Sequence, residues 1–265
     1  MHETPETPAL SHRPAIFLPF PGLVAAQSTR HGGVSGEPFA SLNLGLSSGD
    51  GRENVLENRR RFFGSLAIGT EQVALGFQVH GDTILRAEQP GNYDRHDAFI
   101  TNRAGVFVAV SIADCTPILI YDAGNQAVAA IHAGWKGTAL GIVTKTLQAM
   151  QAGFGTQAGN CFAYVGTCIS ENNFEVDADV AGSFENRFKR FYAARNKFFV
   201  DLKRANAAQL TGFGIPALQL EISPFCTVEN NADYFSYRKE GQRSGRMLAV
   251  IGMRFCHSDE GGIRR

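Results

Sequence analysis

Three short stretches carry residues able to do chemistry. GFQVHGDTIL ends an apolar run on His80, just before Gly81. VAVSIADCTPILIYD sets Asp114 and Cys115 in the middle of a long apolar run. VAAIHAGWKG ends another run on His132, followed by Gly134, by Trp135, which is the chain's only tryptophan, and by Gly137. A turn that serves structure alone needs neither the histidine nor the tryptophan. Two imidazoles and a thiolate can share one metal ion, with sulfur at about 2.3 Å and nitrogen at about 2.0–2.1 Å, and three protein ligands leave a fourth position open. Zinc in such a site brings the pKa of bound water toward neutrality or polarises a substrate oxygen. The same donors suit copper. Without a metal, a cysteine beside a histidine is an activated nucleophile with its base. Taken singly, each residue reads as ordinary: His80 as a capping or core histidine, Cys115 as a small buried hydrophobe, His132 as a packed strand end.

The elements that must position these residues can be read from the same runs. Asp122-Ala-Gly-Asn125 separates two apolar runs as a turn. With Tyr121 paired to Gln126 in an antiparallel hairpin, Cys115 falls directly opposite His132, on the same face, with Cβ atoms about 5 Å apart. A slip of one residue would send the two side chains to opposite faces. His80 is not constrained in this way. Aromatic and β-branched runs predict strands over residues 15–20, 73–79, 83–87, 98–101, 106–112, 116–121, 127–132, 163–165, 198–201, 218–222 and 247–253. Helical spacing predicts helices over residues 53–63, 138–151 and 177–194, and Asp201 caps a fourth that ends near Gly212. Strands outnumber helices and do not alternate with them. That argues against a plain parallel doubly wound sheet and favours a mixed sheet or pair of sheets covered by helices.

Bulk composition bounds the function. The chain has 265 residues, 44% hydrophobic and 19% charged, as expected of a folded soluble protein. Lys+Arg and Asp+Glu both number 25, so no net positive field draws nucleic acid or an anionic membrane. Arg59-Arg60-Arg61 reads as the solvated edge of a helix. Cys115, Cys161, Cys168, Cys226 and Cys256 are odd in number and scattered, which is no disulfide framework and points to a reducing, cytoplasmic setting. No apolar run reaches the roughly 18 residues of a membrane helix. AIFLPFPGLVAA resembles the core of a secretion signal, but prolines interrupt it. Residues 1–13 read as a disordered tail, 14–255 as one catalytic domain and 256–265 as a second tail. Oligomeric state is not legible.

Six segments carry a resemblance. STRHGGVSGEPFASLNLG, GFQVHGDT, ADCTPILIYD, AAIHAGWKGTALGIV, GTCISENNFEV and FSYRKEGQRSGRMLAVIGM resemble, in order, the motifs of the YfiH family, also called the DUF152 or laccase-domain family. The match runs from roughly residue 15 to residue 254. It implies an α+β fold, an α/β/β/α sandwich with mixed β-sheets packed face to face and helices outside. It also implies a metal held by His80, Cys115 and His132: zinc, with copper as the alternative. Family activities are phosphorolysis of adenosine, inosine and methylthioadenosine, and deamination of adenosine; phenol oxidation and peptidoglycan editing have also been attributed to it. The implied partners are a small-molecule nucleoside and phosphate, with no nucleic acid and no membrane.

Roles follow from these chemistries. Cys115 and Asp114 are the expected catalytic residues. Asp114 or Glu175 would shuttle a proton. Phosphorolysis needs a cationic anchor, for which Arg30 beside the Gly32-Gly33 turn, Arg238 and Arg246 qualify. Asn43 of SLNLG belongs to the family motif and is expected at the substrate. The rival readings are a copper oxidase of phenols, a metal-free cysteine hydrolase with Cys115 as nucleophile and His132 as base, and a binding module without activity. One departure stands out: GTCIS carries Thr167 where many relatives have proline.

Overall fold

The computed structural model describes residues 9–255. One sheet has the order β1 (Ser11–His12), β2 (Leu23–Ser28), β15 (Met247–Met253), β7 (Phe107–Ile112), β3 (Val73–Leu75), β5 (Gly91–Asn92). The second has the order β14 (Leu220–Ile222), β10 (Cys161–Val165), β8 (Thr116–Asp122), β9 (Ala127–Ala133), β6 (Ala98–Thr101), β4 (Ile84–Arg86). A third, small sheet holds β11 (Glu175–Val176), β13 (Lys197–Val200) and β12 (Lys189–Tyr192). Helices are α1 (Arg52–Ser65), α2 (Trp135–Ala139), α3 (Ile142–Phe154), α4 (Ala178–Ala181), α5 (Leu202–Phe213) and α6 (Tyr237–Glu240). Both large sheets are mixed: β3 runs parallel to β7, and β10 parallel to β14, within otherwise largely antiparallel ladders.

The two large sheets pack face to face. Val108, Val110, Ala249 and Ile251 of the first meet Phe99, Leu119, Val128, Ala130 and Tyr164 of the second. The outer face of the second sheet, with Ile118, Ile120, Ala129 and Ile131, is covered by Ile142, Val143, Leu147 and Met150 of α3 and Leu210 of α5. The outer face of the first, with Val24, Ala109, Leu248 and Val250, is covered by Phe62 and Phe63 of α1. Helix, sheet, sheet, helix is the expected sandwich. Burial on both faces explains why β8, β9 and β15 read as continuous apolar runs rather than as alternation. Among the described residues no helix is long and apolar enough to cross a membrane.

Several expectations are corrected. Residues 15–20 do not form a strand. Pro14, Pro19 and Pro21 remove ladder donors, residues 15–17 form a 3₁₀ turn, and the strand falls on Leu23–Ser28. The tail expected over residues 1–13 is too long, because Ser11 and His12 pair with Ser28 and Gln27. Residues 1–8 and 256–265 lie outside the described residues. The helix expected over 138–151 is two helices, broken at Gly141, whose φ of 76° suits glycine. The helix expected over 177–194 is confined to α4. Phe184 and Phe188 do join a small core with Phe174 and Val200. Phe191, however, stacks across the β12–β13 pair on Phe198, with ring centroids 5.0 Å apart. There, cross-strand aromatic pairing outweighs helical spacing.

Leu119 is fully buried between the two large sheets. Leu119→Ala should lower unfolding free energy by about 2–5 kcal/mol, read from urea midpoints at constant slope. A loss well under 1 kcal/mol would mean the sheets do not share a packed interior.

Candidate metal centre

Ala113, Asp114 and Cys115 carry the chain from β7 in one sheet to β8 in the other. Asp114 makes the turn possible with φ at 80°, in the left-handed region that aspartate tolerates better than most residues. β8 and β9 pair at Asp122↔Ala127 and Pro117↔His132, not at Tyr121↔Gln126. The expected register is therefore off by two residues. Because strand faces repeat every two residues, Cys115 stays on the face of His132, one diagonal step along, and now lies opposite Gly134. Gly134 has an ordinary φ of −68°, so its lack of a side chain is about space. A Cβ there would stand 3.2 Å from Cys115 Sγ, 3.4 Å from His80 Cδ2 and 3.7 Å from His132 Cε1. Gly137 is likewise forced by close approach, since a Cβ would sit 2.8 Å from Gly81 O. Trp135 is half-buried against the small core of the third sheet, with Lys136 Nζ 5.5 Å from its ring.

His80 arrives from the segment between β3 and β4. Gln78 pins that segment to β7 through two 2.8 Å bonds with the backbone of Ser111. His80 itself adopts φ 60°, which disfavours residues with a Cβ. The compensation comes from Asp97, a fully buried residue at the start of β6. Its carboxylate accepts the backbone N–H of His80 at 2.9 Å, of Gly81 at 2.8 Å and of Val79 at 3.3 Å. The same carboxylate accepts from Nδ1 of His132 at 2.8 Å, which leaves Nε2 for the cluster. One side chain thus holds both histidines. The rings of His80 and His132 stand 4.8 Å apart at 84°. A ligand atom from each of His80, Cys115 and His132 lies within 4.8 Å of the other two. His80 is exposed, Cys115 half-buried and His132 buried, so the cluster opens to solvent on the His80 side.

The electrostatics follow from the packing. Burial raises the Cys115 thiol pKa, but attraction and hydrogen bonding from His132, and then His80, outweigh it and bring the value down to about 6. Burial lowers the His132 pKa, but Cys115 and Asp97 outweigh it and raise the value to about 9. Asp97 is destabilised by burial, yet its bonds to His132 and the backbone hold it below the usual carboxylate range. The metal-free pair is therefore a thiolate beside an imidazolium. A soft thiolate, two imidazoles, a carboxylate behind one of them and a glycine-lined gap fit a divalent metal with an open coordination position.

Of the remaining expected residues, Asp114 adjoins this cluster in the chain. Both carboxylate oxygens of Asp114 are bonded, one by the Thr227 hydroxyl and one by the Arg238 backbone N–H at 2.6 Å, so Asp114 ties two loops to the cluster rim. Arg238 and Glu175 are neighbours: Arg238 Nη1 donates to Asn173 O at 2.9 Å and Glu175 O at 3.2 Å. They line an open cleft of about 490 Å³ with Arg190, Tyr192 and Arg195. Arg30 lies in the β2 end region, bonded to Ala40 O, Asn231 O and, at 2.9 Å, Glu240. Asn43 is fully buried; its amide donates to Ser48 and Asp50 and its oxygen accepts from the backbone N–H of Gly45 and Arg246. Its polar atoms are spent inside the fold. A cleft of about 750 Å³ between α3 and α5 contains none of these residues.

Asp97 was not singled out in the sequence. Its only signal was position, as the last polar residue before the apolar run at 98–101.

Residues 24–254 match the family described as multi-copper polyphenol oxidoreductase laccase. A purine nucleoside phosphorylase of Deinococcus radiodurans is 37% identical over 242 residues, spanning 91% of this chain and 93% of its own. The purine nucleoside phosphorylase YfiH of Escherichia coli is 34% identical over 235 residues, spanning 87% and 93%. The crystal structure of YlmD from Geobacillus stearothermophilus superposes with a TM-score of 0.86 at 33% identity, covering 94% of this chain and all of its own (100%). A DUF152 protein of Neisseria meningitidis superposes with a TM-score of 0.79 at 32% identity, covering 89% and 96%.

Asp97→Asn keeps the shape of the side chain but loses acceptor capacity and charge. It should weaken zinc binding about 10- to 100-fold in competition with a chromophoric chelator; unchanged affinity would mean Asp97 serves only the fold. A second prediction concerns protons. With Cys115 near 6 and His132 near 9, the metal-free pair carries one shared proton at pH 7. Zinc uptake at pH 7 should release about one proton, and this release should fall toward zero as pH rises through about 9. Calorimetry in buffers of different ionisation enthalpy measures it; no buffer dependence at pH 7 would contradict the assigned protonation.

Proposed function

The chain belongs to the YfiH/DUF152 family of laccase-like domains, and from that membership we propose that it is a zinc-dependent purine nucleoside phosphorylase that also deaminates adenosine. The observation that carries this reading is the convergence of His80, Cys115 and His132 on one point, backed by Asp97 and open on one side. The relatives named purine nucleoside phosphorylase, at 34–37% identity over most of both chains, support the reaction class.

His80, Cys115 and His132 would hold the metal, and Asp97 keeps His132 in the tautomer that presents Nε2. When bound, zinc would act as a Lewis acid that polarises a substrate oxygen or eases loss of a proton from water. In phosphorolysis an oxygen of phosphate forms a bond to C1′ of the ribose, the C1′–N9 bond breaks, and the purine leaves with the electron pair and gains a proton. In deamination water adds at C6 and ammonia leaves. The substrates on this reading are adenosine, inosine or methylthioadenosine together with phosphate. Four described cysteines form no disulfide, which suits the cytoplasm as the place of action.

A second reading rests on a specific observation. Cys115, His132 and Asp97 stand in the order nucleophile, base and orienting carboxylate, which is also the arrangement of a cysteine hydrolase acting on an amide such as a cell-wall peptide. The phenol-oxidase reading has less support. Reduction of dioxygen by a laccase uses several copper centres, and a single His/Cys/Asp/Glu group of this kind occurs among the described residues.

Zinc-loaded protein incubated with adenosine and phosphate should yield adenine and ribose-1-phosphate, and with adenosine alone should yield inosine. Cys115→Ala should lose stoichiometric zinc and both activities, and chelation should abolish both in the parent chain. Full activity after chelation, with loss on Cys115→Ser, would replace the zinc reading by the hydrolase reading.

A further inference from the structure

Phosphorolysis requires a cation for its anionic co-substrate, and the arginines near the cluster differ in what they have left to offer. Arg30 is paired with Glu240 at 2.9 Å. Arg195 is paired with Glu175 at 3.0 Å and Arg190 faces Glu171 at 3.7 Å. Arg238 is exposed and donates to the carbonyls of Asn173 and Glu175. Arg246 is different. It is half-buried and stands just before β15, whose first residue, Met247, pairs with Ile112 at the end of β7. That register sets Arg246 beside Ala113, immediately before Asp114 and Cys115. The guanidinium lies over the Tyr237 ring, 5.4 Å from its centroid. Nη1 donates to Ser244 O at 2.7 Å and Gly245 O at 2.9 Å, while Nε and Nη2 have no hydrogen-bond partner among the described residues. Burial lowers its pKa, and Tyr237, Asp114, Cys115 and Glu240 oppose that shift.

The surrounding structure is shaped to hold this side chain. Asn43 Oδ1 accepts the Arg246 N–H at 2.8 Å, and Leu44 N–H donates to Arg246 O at 2.9 Å. Gly45 is small because a Cβ would stand 2.5 Å from Arg246 Cγ and 2.7 Å from its Cβ. The SLNLG segment, expected at the substrate, packs on and bonds Arg246.

We infer that Arg246, positioned by Asn43 and Gly45, binds the inorganic phosphate co-substrate beside the metal centre through its Nε and Nη2 donors. The inference rests on the phosphorylase reading and deepens it by assigning the anion to one side chain. A guanidinium presenting two adjacent N–H groups matches two oxygens of a phosphate, whereas a lysine offers only a point charge.

The test uses the zinc-loaded full chain. Arg246→Met should raise KM for inorganic phosphate and lower kcat/KM by about 10- to 100-fold, the loss expected for one or two charged hydrogen bonds. Zinc stoichiometry should stay near that of the parent chain, and any fall in Tm should leave the protein folded at the assay temperature. Arg246→Lys should recover only part of the loss. Gly45→Ala, which displaces Arg246 without removing it, should raise KM for phosphate in the same direction. A phosphate KM unchanged in Arg246→Met, or an effect confined to the 5′-phosphate of a nucleoside monophosphate, would overturn the assignment. If the parent chain phosphorolyses no nucleoside, the function reading fails, but the site is still decided by calorimetric titration of inorganic phosphate. Binding lost in Arg246→Met supports the site, and equal binding in both proteins overturns it.

Discussion

The centre depends on one buried carboxylate. Asp97 is inaccessible to solvent and ionised, and a charge in that position is costly unless its oxygens are fully bonded. Here three backbone N–H groups and one imidazole N–H meet it. Its own backbone completes the lock: Asp97 O accepts from His132 N–H at 2.7 Å, and Asp97 N–H donates to Thr83 O at 2.9 Å. The segment carrying His80 has no extended sheet partner of its own at that point. Gln78 pins it to the first sheet, and Asp97 holds its Val79, His80 and Gly81 N–H groups against the second. Hydrogen bonds to a charged acceptor contribute about 1.5–3 kcal/mol each, enough to offset a left-handed histidine.

The sandwich supplies the rest. Packing two mixed sheets face to face forces the chain to cross between them, and the crossing at residues 113–115 delivers Cys115 to the strand ends where His132 and Arg246 also arrive. Both sheets are buried on both faces, so the ends of their strands are the places left for polar chemistry. Asp114, by bonding Thr227 and the first turn of α6, draws the loops that carry Tyr237 and Arg238 to the same rim. The cluster and its surroundings come from segments far apart in the chain. Their alignment is a property of the fold, not of any one motif.

Much of this was legible in the sequence because strand faces have a period of two. The hairpin register read from Asp122 to Asn125 was off by two residues, yet it still placed Cys115 and His132 on one face; an error of one would have separated them. The glycines of HAGWKG stood out because apolar runs seldom end that way, and their reason proved to be close approach to Cys115 and Gly81. Asp97 was not legible. An aspartate before an apolar strand looks like turn chemistry, and only the three-dimensional position of residues 79–81 shows otherwise. Asn43 was recognised from its motif, but its bond to Arg246, across roughly two hundred residues of chain, was not legible. The stretch 177–194 misled for a physical reason: aromatic residues spaced by three and four suit a helix and suit successive turns capped by a cross-strand pair equally well, and local spacing cannot choose between them.

On the proposed function, one sulfur and two imidazole nitrogens share a single cation. X-ray absorption at the zinc edge of the loaded protein reads that donor set directly. One sulfur scatterer near about 2.3 Å, with nitrogen scatterers near about 2.0–2.1 Å carrying the outer-shell signature of two imidazoles, is the predicted result. A shell without sulfur, or one unchanged in Cys115→Ala, would contradict it.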